Sequence, residues 1–197
     1  MTYCIDIDKT ILYTLFTQIM SDKASSLKGS SIDKVREFMF DDIDKTIQLA
    51  HTRRGAPNFL LALGLCCYTE YWGKLLLGVE RKEIGGKERS KAPFEAFLKR
   101  LDCSYYEGLL QTLDIYSDIR CGLAHAYMID SNARIDMGNI GYHGIEYNQT
   151  EKRYTFWVRT YFNEFKKAVN CYIDALEQGT ESLDNLDKAL KARPELL

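Results

Sequence analysis

Arg120 and His125 are the residues of this chain whose types and spacing best suit a chemical reaction. Histidine can gain or lose a proton near neutral pH, so it can act as a general acid or base. The planar guanidinium of arginine matches phosphate oxygens and stabilises negative charge that develops on them. In type, the pair suffices for metal-independent cleavage of RNA, in which a 2′-hydroxyl attacks the adjacent phosphate.

Spacing alone favours a structural interpretation of the pair. On an α-helix, residues five apart point roughly 140° away from each other, at about 100° per residue. A long arginine side chain can bridge that arc, or two copies of the pair can meet across a dimer axis, where Gly122 permits close approach. In the structural interpretation, His125 caps a helix C-terminus and Arg120 forms an ion pair with Asp114 or Asp118.

Hydrophobic periodicity predicts which elements position the pair. A long helix is expected over 104–127, opened by the capping box of Ser104 and Glu107. A short helix from Pro93 to about Leu101 should precede it. Other helices are predicted over 8–20, 31–52, 57–77, 161–178 and 181–192. Helix 57–77 is apolar nearly all round, which predicts a central place in a bundle.

The segment 132–160 differs from the rest of the chain. Its glycines and the alternation of Tyr154, Phe156 and Val158 are typical of two or three short strands, with a hairpin turn near Asn148 and Gln149. We therefore predict a mainly α fold: a helical bundle with a small antiparallel β hairpin inserted near 132–160. The length suits a single domain over 1–197.

The string IRCGLAHAY at 119–127, on a late helix of this bundle, resembles the R-x4-6-H motif of the HEPN superfamily (higher eukaryotes and prokaryotes nucleotide-binding). By position, Arg120 matches the motif arginine and His125 the motif histidine. The resemblance implies a compact and commonly homodimeric helical domain. Many members are metal-independent endoribonucleases of toxin–antitoxin and defence systems. RNA, and an antitoxin or a nucleotidyltransferase-like protein, are the partners that it implies.

Cys121 leaves a second function open. Active HEPN proteins usually carry Asn, Asp or His directly after the motif arginine, whereas this chain has a cysteine there. Other members bind RNA, nucleotides or protein partners without catalysis. The alternative to a ribonuclease is therefore a non-catalytic HEPN-like binding or dimeric interaction module.

A basic segment provides a candidate nucleic-acid surface. The predicted glycine-containing loop 79–91 contains Arg81, Lys82, Lys87, Arg89 and Lys91. Basic groups beside flexible glycines could follow a phosphate backbone. Three glutamates dilute the patch, however, and a solvated loop without function is the more frequent case.

Asp6 and Asp8 resemble the D-x-D-x-T motif of haloacid-dehalogenase-type phosphatases, which would require Mg²⁺ and a parallel sheet. No alternating β–α pattern follows them, and a helix N-terminus explains both acids. His51 and His143 stand without neighbouring ligands at zinc-binding spacing, so no metal or other cofactor is expected.

Charge, hydrophobicity and cysteine content limit the expected partners and the expected cellular compartment of the protein. The net charge of −2 provides no overall attraction to nucleic acid or to anionic membranes. The longest apolar stretch, 59–68, is too short to cross a bilayer. The six cysteines lack the spacing of a disulfide framework, which favours six reduced thiols and a cytoplasmic location.

Overall fold

The computed structural model describes residues 31–50, 56–79, 88–126, 133–138 and 141–191, with the backbone only for Ser31, Ala56, Glu88, Arg89, His125 and Ala126. Over these ranges the chain is mainly helical and carries one small sheet, which confirms the predicted fold class. The predicted helix at 8–20, Asp6, Asp8 and His51 lie outside the described residues.

The second helix of the described chain forms the centre of the bundle, and the first packs against it. Helix α1 spans Ser31–Leu49 and α2 spans Ala56–Leu77, as their periodicity predicts. The apolar face of α1, including Ile43 and Ile47, packs on α2. Along α2 the side chains from Leu61 to Leu75 are buried on nearly every side, since other helices surround it.

Helix α3 spans Glu88–Leu101, so the prediction that Pro93 opens this helix is wrong. Proline has no backbone N–H and cannot donate a helical hydrogen bond. Because Pro93 lies only about one turn into the helix, its missing donor leaves just one carbonyl of the first turn without a partner. The backbone at Pro93 lies directly against α2. A Cβ placed on Gly73 would come within 1.8 Å of the Pro93 carbonyl oxygen, so glycine at position 73 allows this close approach.

The continuous helix predicted over 104–127 is also wrong. Three elements replace it: α4 over Cys103–Leu110, a π-helical turn over Tyr116–Cys121, and α5 over Gly122–Ala126. The cap of α4 is Asp102 rather than Ser104, because the Asp102 carboxylate accepts a hydrogen bond from the backbone N–H of Tyr105 at 3.2 Å.

A second capping aspartate explains the interruption. The Asp114 carboxylate accepts a hydrogen bond from the backbone N–H of Ser117 at 3.1 Å and starts the π-helical turn. Aspartate strongly favours such N-terminal positions, because its side chain competes with the helical backbone for hydrogen bonds. The helix is therefore interrupted after Leu110, before the segment that contains Arg120.

Three strands follow: β1 over Ala133–Asp136, β2 over Ile145–Asn148 and β3 over Arg153–Trp157. Strands β2 and β3 form the predicted antiparallel hairpin. Strand β1 adds to it in parallel with β3, in the order β1-β3-β2. In the turn, the side chain of Asn148 accepts hydrogen bonds from two backbone N–H groups, and Lys152 adopts a left-handed backbone with φ of 49°.

Strand β3 continues directly into α6, Val158–Glu177, and α7 follows over Leu183–Lys191. Both helices were predicted from periodicity. Gly179 ends α6 with φ of 70°, a conformation that glycine adopts without strain. Aromatic side chains join α6 to the centre of the bundle, where Tyr172 packs edge-on against Trp72 of α2. No helix in the described part of the chain is long and apolar enough to cross a membrane.

Candidate functional site

Arg120 lies on the π-helical turn, which is fixed to the bundle by buried side chains of the same segment. Tyr116, Ile119 and Leu123 are all less than 5% exposed. The ring of Tyr116 packs edge-on against Phe94 of α3, with centroids 5.6 Å apart. These buried contacts give the guanidinium of Arg120 a rigid support. Short π-helical turns within helices also occur frequently at functional sites.

The predicted partners of Arg120 are engaged elsewhere. Asp118 accepts a hydrogen bond from the Tyr154 hydroxyl at 2.7 Å, which ties the π-helical turn to the sheet. Asp114 binds the ammonium group of Lys91 at 2.9 Å. The prediction of an ion pair between Arg120 and either aspartate is wrong, because both carboxylates have other partners.

Glu70 of α2 is the partner of Arg120. Arg120 Nη2 donates a hydrogen bond to Glu70 Oε2 at 2.8 Å. Lys74, one turn further along α2, binds the other oxygen of the same carboxylate. Glu70, Lys74 and Arg120 are here called the Glu70 cluster. The side chain of Glu70 is 7% exposed, that of Lys74 is 20% exposed and that of Arg120 is 18% exposed. They form a half-buried polar group between the mostly apolar helix α2 and the π-helical turn.

The charges of the Glu70 cluster control its protonation. Burial alone would raise the pKa of Glu70, but hydrogen bonds from Lys74 and Ser90 and the charges of Lys74 and Arg120 hold it below its ordinary value. Burial opposes the charged form of Arg120, yet Glu70 raises the arginine pKa above its usual value. At neutral pH the cluster therefore holds two positive charges and one negative charge.

The guanidinium of Arg120 has hydrogen-bond donors that the ion pair with Glu70 does not use. Its plane lies over the ring of Tyr116, 5.5 Å from the centroid, in a cation–π arrangement. Its Nε is buried and has no hydrogen-bond partner. Because arginine has five N–H donors, one carboxylate does not satisfy the group. The surplus positive charge and the remaining donors suit an additional anionic group.

His125 lies in α5, directly after the π-helical turn. Its side chain lies outside the described residues. The backbone places both residues on one short stretch of helical chain, from Arg120 through the glycine that begins α5.

The predicted basic surface is only partly described. Arg81, Lys82 and Lys87 lie outside the described residues, and Arg89 is described by its backbone alone, within α3. Lys91 also lies in α3, so its prediction as a loop residue is wrong. Its hydrogen bond to Asp114 raises the lysine pKa, and Glu95 adds a contact at 3.7 Å. The charge of Lys91 is thus largely neutralised by these two carboxylates.

Sequence reasoning missed Glu70 and Lys74. Their signal is the presence of two opposite charges, one helical turn apart, in an otherwise apolar helix. Such charges are rarely buried without a partner, and this pattern indicates a polar site within the bundle.

Sequence spacing also leaves His143 without expected ligands, because its neighbours in the structure are distant in sequence. Its Nδ1 lies 3.7 Å from Asp102 Oδ2 and 3.7 Å from Glu164 Oε1. Its ring stacks on Tyr105 at 3.6 Å between centroids, with an angle of 7° between planes. In the described part of the chain, no group of three His, Cys, Asp or Glu side chains is arranged to hold a metal ion.

Five cysteines fall within the described residues, and all five are free thiols: Cys66, Cys67, Cys103, Cys121 and Cys171. Cys121 is half-buried and packs against the hydrophobic core, as expected for a small apolar side chain. Cys4 lies outside the described residues.

Comparisons of this chain with models of protein families, with curated proteins and with solved structures gave no significant match. The functional interpretation therefore depends on the residues of the site.

Proposed function

We propose that this protein is a HEPN-like, metal-independent endoribonuclease whose catalytic residues are Arg120 and His125. The observation that carries the proposal is the Glu70 cluster, which holds the motif arginine on a rigid π-helical turn with one positive charge in excess. His125 follows on α5 within the same motif.

The net charge of the Glu70 cluster favours a phosphate ligand. Glu70 neutralises one of its two cations and leaves a single positive charge at neutral pH. At a half-buried site, charges are screened less by solvent than on an open surface. An RNA phosphate is the ligand that matches both the sign of this charge and the planar donors of Arg120.

In the proposed reaction, the RNA supplies its own nucleophile. The 2′-oxygen forms a bond to phosphorus as its proton leaves, and the bond from phosphorus to the 5′-oxygen breaks as that oxygen gains a proton. His125 transfers a proton in this exchange. The products are a 2′,3′-cyclic phosphate and a 5′-hydroxyl, and no metal ion or external oxidant takes part.

Arg120 stabilises the charge that develops on the phosphorane oxygens. Glu70 acts as a positioning residue, since it holds the guanidinium without touching the RNA. Replacing Glu70 with Gln would leave Arg120 positively charged but less well oriented. We therefore expect a lower KM for RNA, from the added positive charge, together with a lower kcat.

The same proposal includes the assembly of two chains into a homodimer. We place a homodimer interface along the π-helical turn and α5, where Gly122 permits close approach of two chains and brings two Arg120–His125 pairs together. A cytoplasmic location, with an antitoxin or a nucleotidyltransferase-like protein as regulator, fits a ribonuclease of this class. The basic residues Arg81, Lys82, Lys87, Arg89 and Lys91 are secondary RNA contacts in this proposal, with Lys91 the weakest because Asp114 binds it.

The test is cleavage of single-stranded RNA by purified protein. His125→Ala and Arg120→Ala should each lower the rate by about 10²–10⁴-fold. Cleavage should persist in EDTA and should fail on DNA of the same sequence. Lys45→Ala on α1 is a matched control, because it removes an exposed cation that is already paired with Asp41, and it should cleave within about twofold of wild type.

A specific observation favours the alternative of a non-catalytic binding or dimerisation module. The ion pair of Arg120 with Glu70 is half-buried, so the arginine also has a structural partner, and Cys121 follows it. In that case wild-type protein would bind RNA or dimerise without cleavage. The Arg120→Ala variant would then change only the melting temperature or the dimer affinity.

A further inference from the structure

An open groove of about 610 Å³ lies against the sheet, on the side away from the bundle core. The strand register places Glu146, Thr155 and Arg134 side by side across this face. The segment before β2 and the first turn of α4 complete its walls with Tyr142, His143 and Tyr105. The volume is in the range typical of sites for small molecules.

Aromatic rings form much of the wall of this sheet groove. Tyr142 is 91% exposed, which is unusual for a large residue that also lines a concavity. Tyr105 and His143 form a stacked pair beside it. Tyr147 contributes a further ring, held against Tyr154 at 4.9 Å between centroids. These ring faces can bind a flat or a positively charged group.

The groove already contains one such arrangement. The guanidinium of Arg134 lies over the ring of Trp157, 5.6 Å from its centroid, and its charge is balanced by Asp136 at 3.6 Å. Gly141 covers the same indole so closely that a Cβ there would approach a ring atom to 2.2 Å. Rings and carboxylates of this face therefore accommodate a guanidinium group of the chain itself.

Carboxylates outnumber cations along the groove. Glu146 and Glu151 line it, against the single guanidinium of Arg134. Asp102 and Glu164 lie directly behind His143.

These carboxylates are not equally available to a ligand. Glu146 is occupied, because it accepts hydrogen bonds from the indole N–H of Trp157 at 2.8 Å and from the backbone N–H of Tyr142 at 2.7 Å. Among the described residues Glu151 forms no ion pair, and it remains available at the rim.

We propose that the sheet groove binds a small organic cation with an alkylammonium or guanidinium head. The cation lies against the exposed ring of Tyr142 and pairs with Glu151, while Glu146 and the carboxylates behind His143 supply a negative field. Among the described residues, the groove and the Glu70 cluster share no side chain, so the two sites are separate and this proposal does not depend on the proposed ribonuclease activity.

The proposal is tested by titrating the full-length protein with choline and with 3,3-dimethylbutan-1-ol, the neutral molecule of the same shape. Trp157 lines the groove, whereas the only other tryptophan, Trp72, is fully buried in the core. Intrinsic fluorescence therefore reports on occupancy, and Trp157→Phe should abolish the response. We expect choline to bind, the neutral analogue to bind at least threefold more weakly, and added salt to weaken choline alone.

Two variants separate the contributions without disturbing the fold, because both side chains are exposed. Tyr142→Leu and Glu151→Gln should each weaken choline binding about threefold. The matched controls are Phe38→Leu and Glu37→Gln on α1, with side chains 66% and 72% exposed, and they should bind like wild type.

Three results would overturn the assignment of the groove to a cation. These are no response to choline, equal binding of the neutral analogue, and unchanged binding by Glu151→Gln. A fluorescence response to a short single-stranded RNA that requires Tyr142 would show instead that the groove stacks nucleobases.

Discussion

Replacing Glu70 with glutamine tests whether the Glu70 cluster is energetically significant as well as geometrically present. The substitution keeps the volume and part of the hydrogen bonding of the side chain, but it removes the negative charge between Lys74 and Arg120. Two cations then face each other at a half-buried site. We expect the free energy of unfolding to fall.

The magnitude follows from the burial of the three side chains. Two unit charges about 4 Å apart attract by roughly 4 kcal/mol at an effective dielectric constant near 20, before desolvation is subtracted. Exposed pairs contribute about 0–1 kcal/mol, and loss of one partner of a fully buried pair costs about 3–5 kcal/mol. Since these groups are 7–20% exposed, we expect a loss of about 2 kcal/mol, or roughly 4–8 °C in Tm.

The assay is urea denaturation at pH 7 and at several lower pH values. The pKa of Glu70 is lowered in the folded protein, so its stabilising contribution is present above its ordinary pKa of 4.5 and is lost as pH falls through the folded value. The difference between wild type and Glu70→Gln should therefore shrink in acid. Asp41→Asn is the matched control, because its pair with Lys45 has the same spacing but is 71–74% exposed, and it should change stability by less than about 0.5 kcal/mol.

A Glu70→Gln protein as stable as wild type at pH 7 would refute this reasoning. So would a difference that stays constant from pH 7 to pH 3, because the stabilisation would then not come from the carboxylate charge.

Two further predictions concern packing and burial. Gly73→Ala should lower the free energy of unfolding by about 3 kcal/mol, because its Cβ would meet the Pro93 backbone. Gly108→Ala has open space around it and should raise the free energy of unfolding by about 0.5–1 kcal/mol. Equal effects of the two substitutions in urea denaturation would contradict the close approach of α2 and α3. Burial raises the pKa of Glu164, so the folded state holds its proton more tightly and this group lowers stability as pH rises above 4.5. Glu164→Gln should thus gain stability relative to wild type between pH 4 and pH 7, and a relative loss over that range would contradict the shift.

Periodicity was sufficient to predict the helices that bury one face or all faces. The pattern of Ile43 and Ile47 on α1, and the apolar content of α2, correspond directly to burial in the bundle. The hairpin was equally readable, because Tyr154 and Phe156 alternate on a strand that covers the core. Local sequence determined these features.

Competing local signals account for the errors. A run of apolar residues predicts one helix over 104–127, but the capping preference of Asp114 divides it, and both effects are present in the same sequence. Pro93 indicates a helix start only if the preceding residues do not already form one. Each error therefore reflects a choice between two local structures that the same sequence permits.

The candidate site was only half predictable. A motif predicts Arg120 and His125 as site residues, whereas the partner of Arg120 in the structure is Glu70, fifty residues earlier. Nothing in the spacing distinguishes Glu70 from the nearby Asp114 and Asp118. The carboxylates around His143 were missed for the same reason, because Asp102 and Glu164 meet the imidazole only after folding.

The most direct test of the central claim uses a single-stranded RNA in which one internal nucleotide lacks its 2′-hydroxyl. We predict that wild-type protein in EDTA cleaves this RNA at ordinary positions, leaves 2′,3′-cyclic phosphate and 5′-hydroxyl ends, and spares the bond that follows the deoxynucleotide. Arg120→Ala and His125→Ala should leave the strand intact. Cleavage at the deoxynucleotide, 5′-phosphate ends, or no cleavage at high protein concentration across varied RNA sequences would contradict it.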